Sequence, residues 1–201
     1  TIQAIKIAFS DRSYTLLFFG FFVCGFHVQF IGTHLPAYII DEGLAPIIGA
    51  WSLALIGLFN IAGSFFSGWS GQVYSKPKLL SGIYAFRAAV ISAFIFVPLS
   101  ETSVLIFSAA MGILWLSTVP LTTGLIAQTQ GLKFLSTLAG LVFFSHQVGG
   151  FLGAWLGGRL YDLTGNYEAM WIAAILFGLL ATIIHLPIRE AAGKLAQAEF
   201  K

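Results

Sequence analysis

The sequence predicts an all-α membrane protein whose six transmembrane helices form two inverted three-helix repeats. The 201-residue chain is 58% hydrophobic and only 9% charged, whereas soluble domains carry about 25% charged residues. Six stretches are apolar over roughly the 20 residues that a helix needs to cross a bilayer core of about 30 Å. Two of these stretches also share a glycine-rich pattern. The lipid bilayer is therefore the expected environment of the chain.

The six apolar stretches are separated by short breaks that contain turn residues or charges. The predicted spans are approximately Tyr14–Ile40, Ala45–Tyr74, Leu79–Val97, Ser103–Ala127, Phe134–Gly158 and Ala169–Leu186. Breaks this short force neighbouring helices to run antiparallel. No stretch alternates with the period of two that a membrane barrel requires. We expect residues 1–201 to form a single six-helix transmembrane bundle, of which residues 187–201 are a cytoplasmic tail.

The distribution of Lys and Arg predicts the orientation of the bundle. Eight of the 10 basic residues fall on one side if the chain crosses six times: Lys6, Arg12, Lys76, Lys78, Lys133, Arg189, Lys194 and Lys201. Arg159 falls on the other side. Because basic residues concentrate in the cytoplasm, we expect a multi-pass protein of the cell (inner) membrane with both termini cytoplasmic. A net charge of +2 is too small to suggest nucleic acid as a partner.

An internal repeat relates the second and fifth spans. Residues 60–71 read NIAGSFFSGWSG and residues 146–157 read HQVGGFLGAWLG. The alignment pairs Asn60 with His146 and Gly63 with Gly149. These spans cross in opposite directions, as in an inverted-topology repeat of three-helix units. Chance similarity between glycine-rich helices is the alternative interpretation. In either case, small residues at every fourth position predict close helix packing.

Two segments resemble motifs of a known transporter family. GGRLYDLTGNYEAMW, at residues 157–171, is similar to the pattern that joins the last two helices of monocarboxylate-porter-like members of the major facilitator superfamily. GWSGQVYSKPK, at residues 68–78, resembles a degenerate copy of that superfamily's cytoplasmic loop, although no acidic residue precedes its basic pair. The resemblance extends from about Tyr14 to Pro187. It implies the C-terminal six-helix half of a twelve-helix transporter, of a bacterial branch.

The chain departs from the animal monocarboxylate carriers at one pair of positions. Those carriers have an Asp and an Arg one helical turn apart in the helix that matches the second span, where this chain has Asn60 and Ser64. Neither residue can carry a proton or form an ion pair with a carboxylate. The resemblance therefore implies a small organic solute, with an anionic solute and proton coupling as further expectations, and it leaves the substrate open.

Polar residues near the middle of the spans are the candidates for solute binding, because such residues are costly in a membrane and transporter sites lie near its midplane. The candidate substrate-binding residues are His27, His34, Asn60, Trp115, Thr118 and His146. For His27, Asn60 and His146, a hydrogen bond between helices is the alternative to a place in a solute cavity. Pro36 and Pro120 are expected to loosen the first and fourth spans.

Two other ionisable residues within spans receive structural interpretations. Arg87 lies toward the cytoplasmic end of the third span, so we expect its long side chain to snorkel to the surface or contact a loop. His185 ends the sixth span and is expected to be interfacial.

Motifs of catalysis are missing from the sequence, so we expect neither an enzyme nor a cofactor or metal site. The resemblance implies secondary transport by alternating access, in which this bundle rocks against an N-terminal six-helix half. The start at Thr1 rather than Met favours a cut from a longer chain over the pairing of two copies. A six-helix membrane interaction or scaffold protein without transport activity is the alternative function.

Overall fold

A computed structural model describes residues 1–199 as nine α-helices. They are α1 Ile2–Ser10, α2 Arg12–Asp41, α3 Pro46–Val73, α4 Lys76–Phe96, α5 Glu101–Leu114, α6 Thr118–Gln130, α7 Leu135–Thr164, α8 Glu168–His185 and α9 Lys194–Glu199. Six segments are long and apolar enough to cross a membrane: α2, α3, α4, α5 together with α6, α7 and α8. The predicted all-α membrane fold is confirmed. Lys201, counted above among the basic residues, lies outside the described part of the chain.

Local sequence signals set the ends of the helices. The Asp11 carboxylate accepts a hydrogen bond from the Ser13 amide at 2.8 Å, which caps the start of α2. Proline occupies the first turn of both α3 and α4, where its missing N–H costs nothing. The glycines with positive φ that follow helix ends are Gly43, Gly131 and Gly165. Each of them allows the chain to reverse within a few residues.

Helix packing follows the predicted inverted repeat. The most extensive contacts join α2 to α7, α3 to α5 and α4 to α8, and α3 also contacts α6. The repeat relates α2 to the fourth span (α5 and α6), α3 to α7, and α4 to α8. The contact of α2 with α7 therefore corresponds to the contact of the fourth span with α3. The contact of α4 with α8 maps onto itself. We call the contact of α2 with α7 the first interface, and that of α3 with α5 and α6 the second interface.

The fourth span is broken, whereas a single helix over Ser103–Ala127 was predicted. α5 ends at Leu114 and α6 begins at Thr118. Pro120, in the first turn of α6, has no N–H for the Leu116 carbonyl, and its ring would clash with that carbonyl in a continuous helix. Pro36 has a weaker effect, because α2 continues through it.

The core consists of two clusters of buried apolar side chains, one toward each end of the bundle. The first contains Phe30, Phe94, Phe107 and Trp171, and the rings of Phe94 and Phe107 stack with centroids 4.0 Å apart. The second surrounds Tyr14 and the start of α2. The middle of the bundle also contains buried polar residues of α2, α4 and α6, namely His27, Arg87 and Thr118.

The segment after α8 folds back over the end of the bundle that contains α1. The Gly193 amide donates to the Thr129 carbonyl at 2.7 Å. Glu190 accepts a hydrogen bond from the Lys76 amide at 3.0 Å, and its carboxylate lies 3.9 Å from the Lys76 ammonium. As far as residue 199, the predicted tail is therefore packed against α4 and α6.

Candidate functional site

The first interface is a close contact between helix backbones. A Cβ atom on Gly149 would overlap the Phe22 carbonyl, and one on Gly153 would overlap the Phe26 carbonyl. From the other side, a Cβ atom on Gly25 would overlap the carbonyl of His146. The close approach of α2 and α7 therefore requires these glycines, in agreement with the close packing predicted from small residues at every fourth position.

The second interface repeats these contacts with different chemistry. A Cβ atom on Gly63, the repeat mate of Gly149, would overlap the Ile113 carbonyl. Ser67, the mate of Gly153, donates its hydroxyl to the Ser117 carbonyl. Asn60, the mate of His146, accepts a hydrogen bond from the Leu116 amide at 3.0 Å. The side chains of Ser67 and Asn60 thus bind the backbone that the break in the fourth span leaves free.

Two of the six candidate residues lie inside the bundle. The His27 side chain is fully buried, and its Nε2 lies 2.7 Å from the Ala174 carbonyl of α8. The Thr118 side chain is also fully buried, with its hydroxyl 3.2 Å from Cys24 Sγ. Both side chains make contacts between helices, and His27 lies toward α8 and away from the first interface.

His34 lies along the first interface and is half-buried. Its Nε2 lies 2.8 Å from the Ala154 carbonyl of α7. Its ring also covers Gly157, where a Cβ atom would overlap the imidazole. His27 and His34 therefore bond to different helices, α8 and α7, although they lie two turns apart on α2.

His146 adjoins an exposed polar patch. Its Nδ1 lies 3.2 Å from Gln147 Oε1, while its Nε2 is buried without a hydrogen-bond partner among the described residues. Gln147 is exposed, and the exposed Gln29 of α2 covers Gly150 of α7. We call Gln29, His146 and Gln147 the polar patch of the first interface.

Asn60 and Trp115 lie at the second interface and are both half-buried. Asn60 Oδ1 also accepts a hydrogen bond from the Ser64 hydroxyl at 3.2 Å. The Trp115 ring approaches Gly32 of α2, so Trp115 joins the second interface to α2.

Arg87 does not snorkel to the surface, which was one of its two predicted positions, but contacts the break between α5 and α6. Its side chain is fully buried, and its Nη2 donates to the Leu114 carbonyl at 2.6 Å and also to the Trp115 carbonyl. The unpaired carbonyls at the end of α5 explain this position, because a buried cation is stabilised by oxygen acceptors and by the negative end of a helix dipole.

His185 is likewise fully buried, contrary to the expectation of an interfacial residue. Its ring stacks on Tyr84 with centroids 4.9 Å apart, and its Nδ1 lies 2.7 Å from the Ala181 carbonyl. Gly20 leaves space for this ring, since a Cβ atom there would overlap the imidazole.

Exposed polar residues in the middle of the spans were not predicted as site residues. They are Gln29, Thr33 and Gln147. Their neighbours Phe144 and Phe151 on α7 are more than 60% exposed, as expected for a surface that faces lipid or another helix bundle. The sequence does show one glutamine among apolar residues in each of α2 and α7, Gln29 and Gln147. It does not show which faces of these helices are exposed.

A cavity of about 430 Å³ lies where α2 ends and α8 begins, and none of the six candidates lines it. Its lining includes Tyr38, Asp41, Tyr167 and Glu168. Burial, and to a smaller extent the charge of Asp41, raises the pKa of Tyr167, so its hydroxyl remains protonated at neutral pH. Within residues 1–199, no group of three or more His, Cys, Asp or Glu side chains could hold a metal ion.

Six spans, opposed three-helix units and a helix broken in mid-span define a polytopic helical membrane protein of the inverted-repeat class. No protein-family model matches the chain. The MFS-type transporter YcxA of Bacillus subtilis is 27% identical over 181 residues, which are 88% of this chain and 44% of that protein. Monocarboxylate transporter 13 of Rattus norvegicus is 30% identical over 168 residues, or 80% of this chain and 39% of that protein. The chain belongs to the major facilitator superfamily.

Similar proteins include further transporters of this kind. Monocarboxylate transporter 12-B of Danio rerio is 28% identical over 142 residues, or 68% of this chain and 29% of that protein. These relatives are transporters rather than enzymes. The chain spans less than half the length of the curated relatives it matches.

Proposed function

We propose that this chain is one six-helix half of a secondary transporter that moves a small organic anion across the cell membrane by alternating access. In this mechanism the bundle rocks against a second bundle, and the solute is held between them near the midplane. The similarity to transporters supports transport. It does not favour the alternative of a membrane scaffold protein.

The observation that carries the proposal is the polar patch of the first interface. Gln29 and Gln147 are exposed on helices whose other exposed side chains are largely apolar. Polar groups facing lipid without partners cost several kcal/mol. We therefore place the patch against a water-filled path between two bundles.

The chemistry of the patch suits a carboxylate solute. The amides of Gln29 and Gln147 donate hydrogen bonds, and the imidazole of His146 adds a positive charge beside them when it is protonated. Relatives named monocarboxylate transporters point to the same solute class. Histidine titrates near neutral pH, so we also propose that protons are cotransported with the anion.

The six candidate residues divide into two roles in this proposal. His34, Asn60, Trp115 and His146 adjoin the open faces of the two interfaces and line the solute path. His27 and Thr118, which are fully buried, hold the helices behind that path.

The proposed orientation has both termini in the cytoplasm, on the basis of the basic residues. We expect a cysteine at Ser75 to react with a membrane-impermeant thiol reagent from the cytoplasmic side only, and one at Asn166 from the opposite side only. Both are introduced after Cys24→Ala, because Cys24 is the single cysteine of the chain. Labelling of Asn166→Cys from the cytoplasm alone contradicts the orientation.

Uptake of radiolabelled pyruvate, used as a monocarboxylate probe, tests the function. The chain is reconstituted in proteoliposomes alone and together with the remainder of its reading frame. We expect saturable uptake, driven by an inward proton gradient, only when a second bundle is present. Uptake by the chain alone as a monomer contradicts the half-transporter proposal.

Gln147→Ala probes the polar patch and has a matched control in Gln72→Ala. Gln72 is also exposed, but it lies at the end of α3. We expect Gln147→Ala to reduce uptake about tenfold, the effect of losing one hydrogen bond to a charged group, while Gln72→Ala leaves it unchanged. Equal uptake by both variants removes the patch from the solute path.

A further inference from the structure

A positive charge in the middle of the bundle has no carboxylate partner in the part of the chain that the structure describes. Arg87 is fully buried, and its guanidinium stays protonated in proteins. All eight Asp and Glu residues lie at helix ends, in the connections or in the C-terminal segment. Lys76 and Glu190 form an ion pair at the end of the bundle. A cation buried in a membrane protein is costly unless an anion accompanies it.

Backbone carbonyls satisfy only part of this guanidinium. Nε and Nη2 donate to the Leu114 carbonyl at 3.2 and 2.6 Å, and Nη2 also donates to the Trp115 carbonyl. Nη1 is buried and has no partner among the described residues. The carbonyls supply dipoles but no negative charge, so the net charge of the site remains positive.

The side chain next to this cation is that of Cys24. Its Sγ lies 3.6 Å from Arg87 Nη2 and 3.2 Å from the Thr118 hydroxyl. His146 of α7 packs near this part of α2, with its ring 5.0 Å from that of Phe21, and its buried Nε2 has no hydrogen-bond partner among the described residues. The Arg87 guanidinium thus donates to the sulfur, and either atom of the Cys24–Thr118 pair can be the donor. This is the environment that favours a thiolate.

The other titratable groups around Cys24 are a tyrosine that donates its proton to a carbonyl and two histidines, which become cations rather than anions when they titrate. The Tyr84 hydroxyl of α4 donates to the Gly20 carbonyl at 3.0 Å. His27, one turn along α2, is bonded to Ala174 of α8. The stacked His185 of α8 is bonded to Ala181. Cys24 is therefore the group that can supply the missing negative charge.

We propose that Cys24 is the intramembrane acid of this protein and that its thiolate forms the ion pair with Arg87. When the thiol ionises, the S–H bond breaks, the electron pair stays on sulfur and the proton leaves to water. Protonation reverses these steps and leaves Arg87 on the carbonyls alone. The ion pair is inferred from the contacts of Cys24 and Arg87 alone. A role for it in moving protons with the solute rests on the proposed function.

Infrared spectroscopy of the reconstituted chain tests this proposal directly. The S–H stretch falls in a region free of other protein bands, and the chain has one cysteine, so Cys24→Ser assigns the band. We expect no S–H band at neutral pH and its appearance as the pH is lowered, with unchanged circular dichroism. A full S–H band that persists up to the ordinary thiol pKa of about 8.5 overturns the proposal.

Arg87→Gln and His185→Gln form a matched pair of variants. Both replace a buried side chain that contains nitrogen, but the bond of His185 is to Ala181 and not to Cys24. We expect the S–H band at neutral pH in Arg87→Gln only. If Arg87→Gln does not fold, the titration of the wild-type chain decides by itself. If the band titrates but pyruvate is not transported, the proposed function fails and the ion pair stands. If transport is normal but the thiol is protonated at neutral pH, the ion pair fails alone.

Discussion

The two interfaces of the bundle share one packing geometry and differ in what fills it. In the first, glycines of α7 lie directly on an unbroken α2. In the second, Ser67 and Asn60 of α3 bind backbone groups of the broken fourth span. A continuous helix such as α2 makes its own backbone hydrogen bonds, so the residues of α7 that pack against it need only be small, and glycine is enough. A broken helix leaves donors and acceptors that neighbouring side chains must satisfy.

The largest expected effect concerns the close approach of helix backbones at glycine, which both interfaces share. Gly63→Val and Gly149→Val place side-chain atoms against the carbonyls of Ile113 and Phe22, so we expect each to destabilise the bundle by about 3 kcal/mol. Thermal unfolding in detergent measures the loss. Gly57→Val is the matched control for Gly63→Val, because no atom lies within 4 Å of a Cβ there.

For the Gly149→Val variant, Gly140→Val supplies the equivalent control, since space is also open at Gly140. Equal stability of Gly149→Val and Gly140→Val would contradict the close approach of α2 and α7.

A smaller effect should separate the two interfaces. Asn60→Ala leaves the Leu116 amide without its acceptor, which costs about 1–3 kcal/mol for a buried donor. His146→Ala frees no backbone group, because α2 is continuous. We therefore expect Asn60→Ala to be the more destabilising of these repeat mates, and faster hydrogen exchange at residues 115–118 in that variant alone. The opposite order would show that the break does not depend on Asn60.

The smallest effect concerns the single hydroxyl of Ser67. Ser67→Ala removes its hydrogen bond to the Ser117 carbonyl, and we expect a loss of about 1 kcal/mol. Ser92→Ala is the control, since that hydroxyl bonds the Ala88 carbonyl of its own helix at 2.7 Å. Chemical denaturation of both variants compares them. Similar losses would mean that Ser67 contributes no more than a bond within one helix.

The length of the apolar stretches predicted the number of membrane spans, because span length is set by bilayer thickness. The repeat alignment of Asn60 with His146 also agrees with the packing. The broken fourth span was only partly foreseen, through Pro120. Because the break itself was not predicted, the free carbonyls of Leu114 and Trp115 were not foreseen, and Arg87 was expected to snorkel to the surface or to contact a loop.

The candidate site was harder to predict from the sequence than the fold was. Depth in the membrane follows from residue number, but the direction of a side chain around the helix axis depends on which helices pack together. His27 and Gln29 are close in depth, yet the first is fully buried and the second exposed. Whether the six candidate residues bind solute remains a prediction for the uptake measurements.

The position of Arg87 also has a consequence for how the protein is made. Inserted alone by the translocon, α4 carries a charge that costs about 2.5–3.5 kcal/mol at the centre of a bilayer. Its oxygen partners belong to the end of α5 and the break that follows, which are synthesised later. We expect α4 to stay at the translocon until the fourth span emerges, and the two to enter the lipid as a pair.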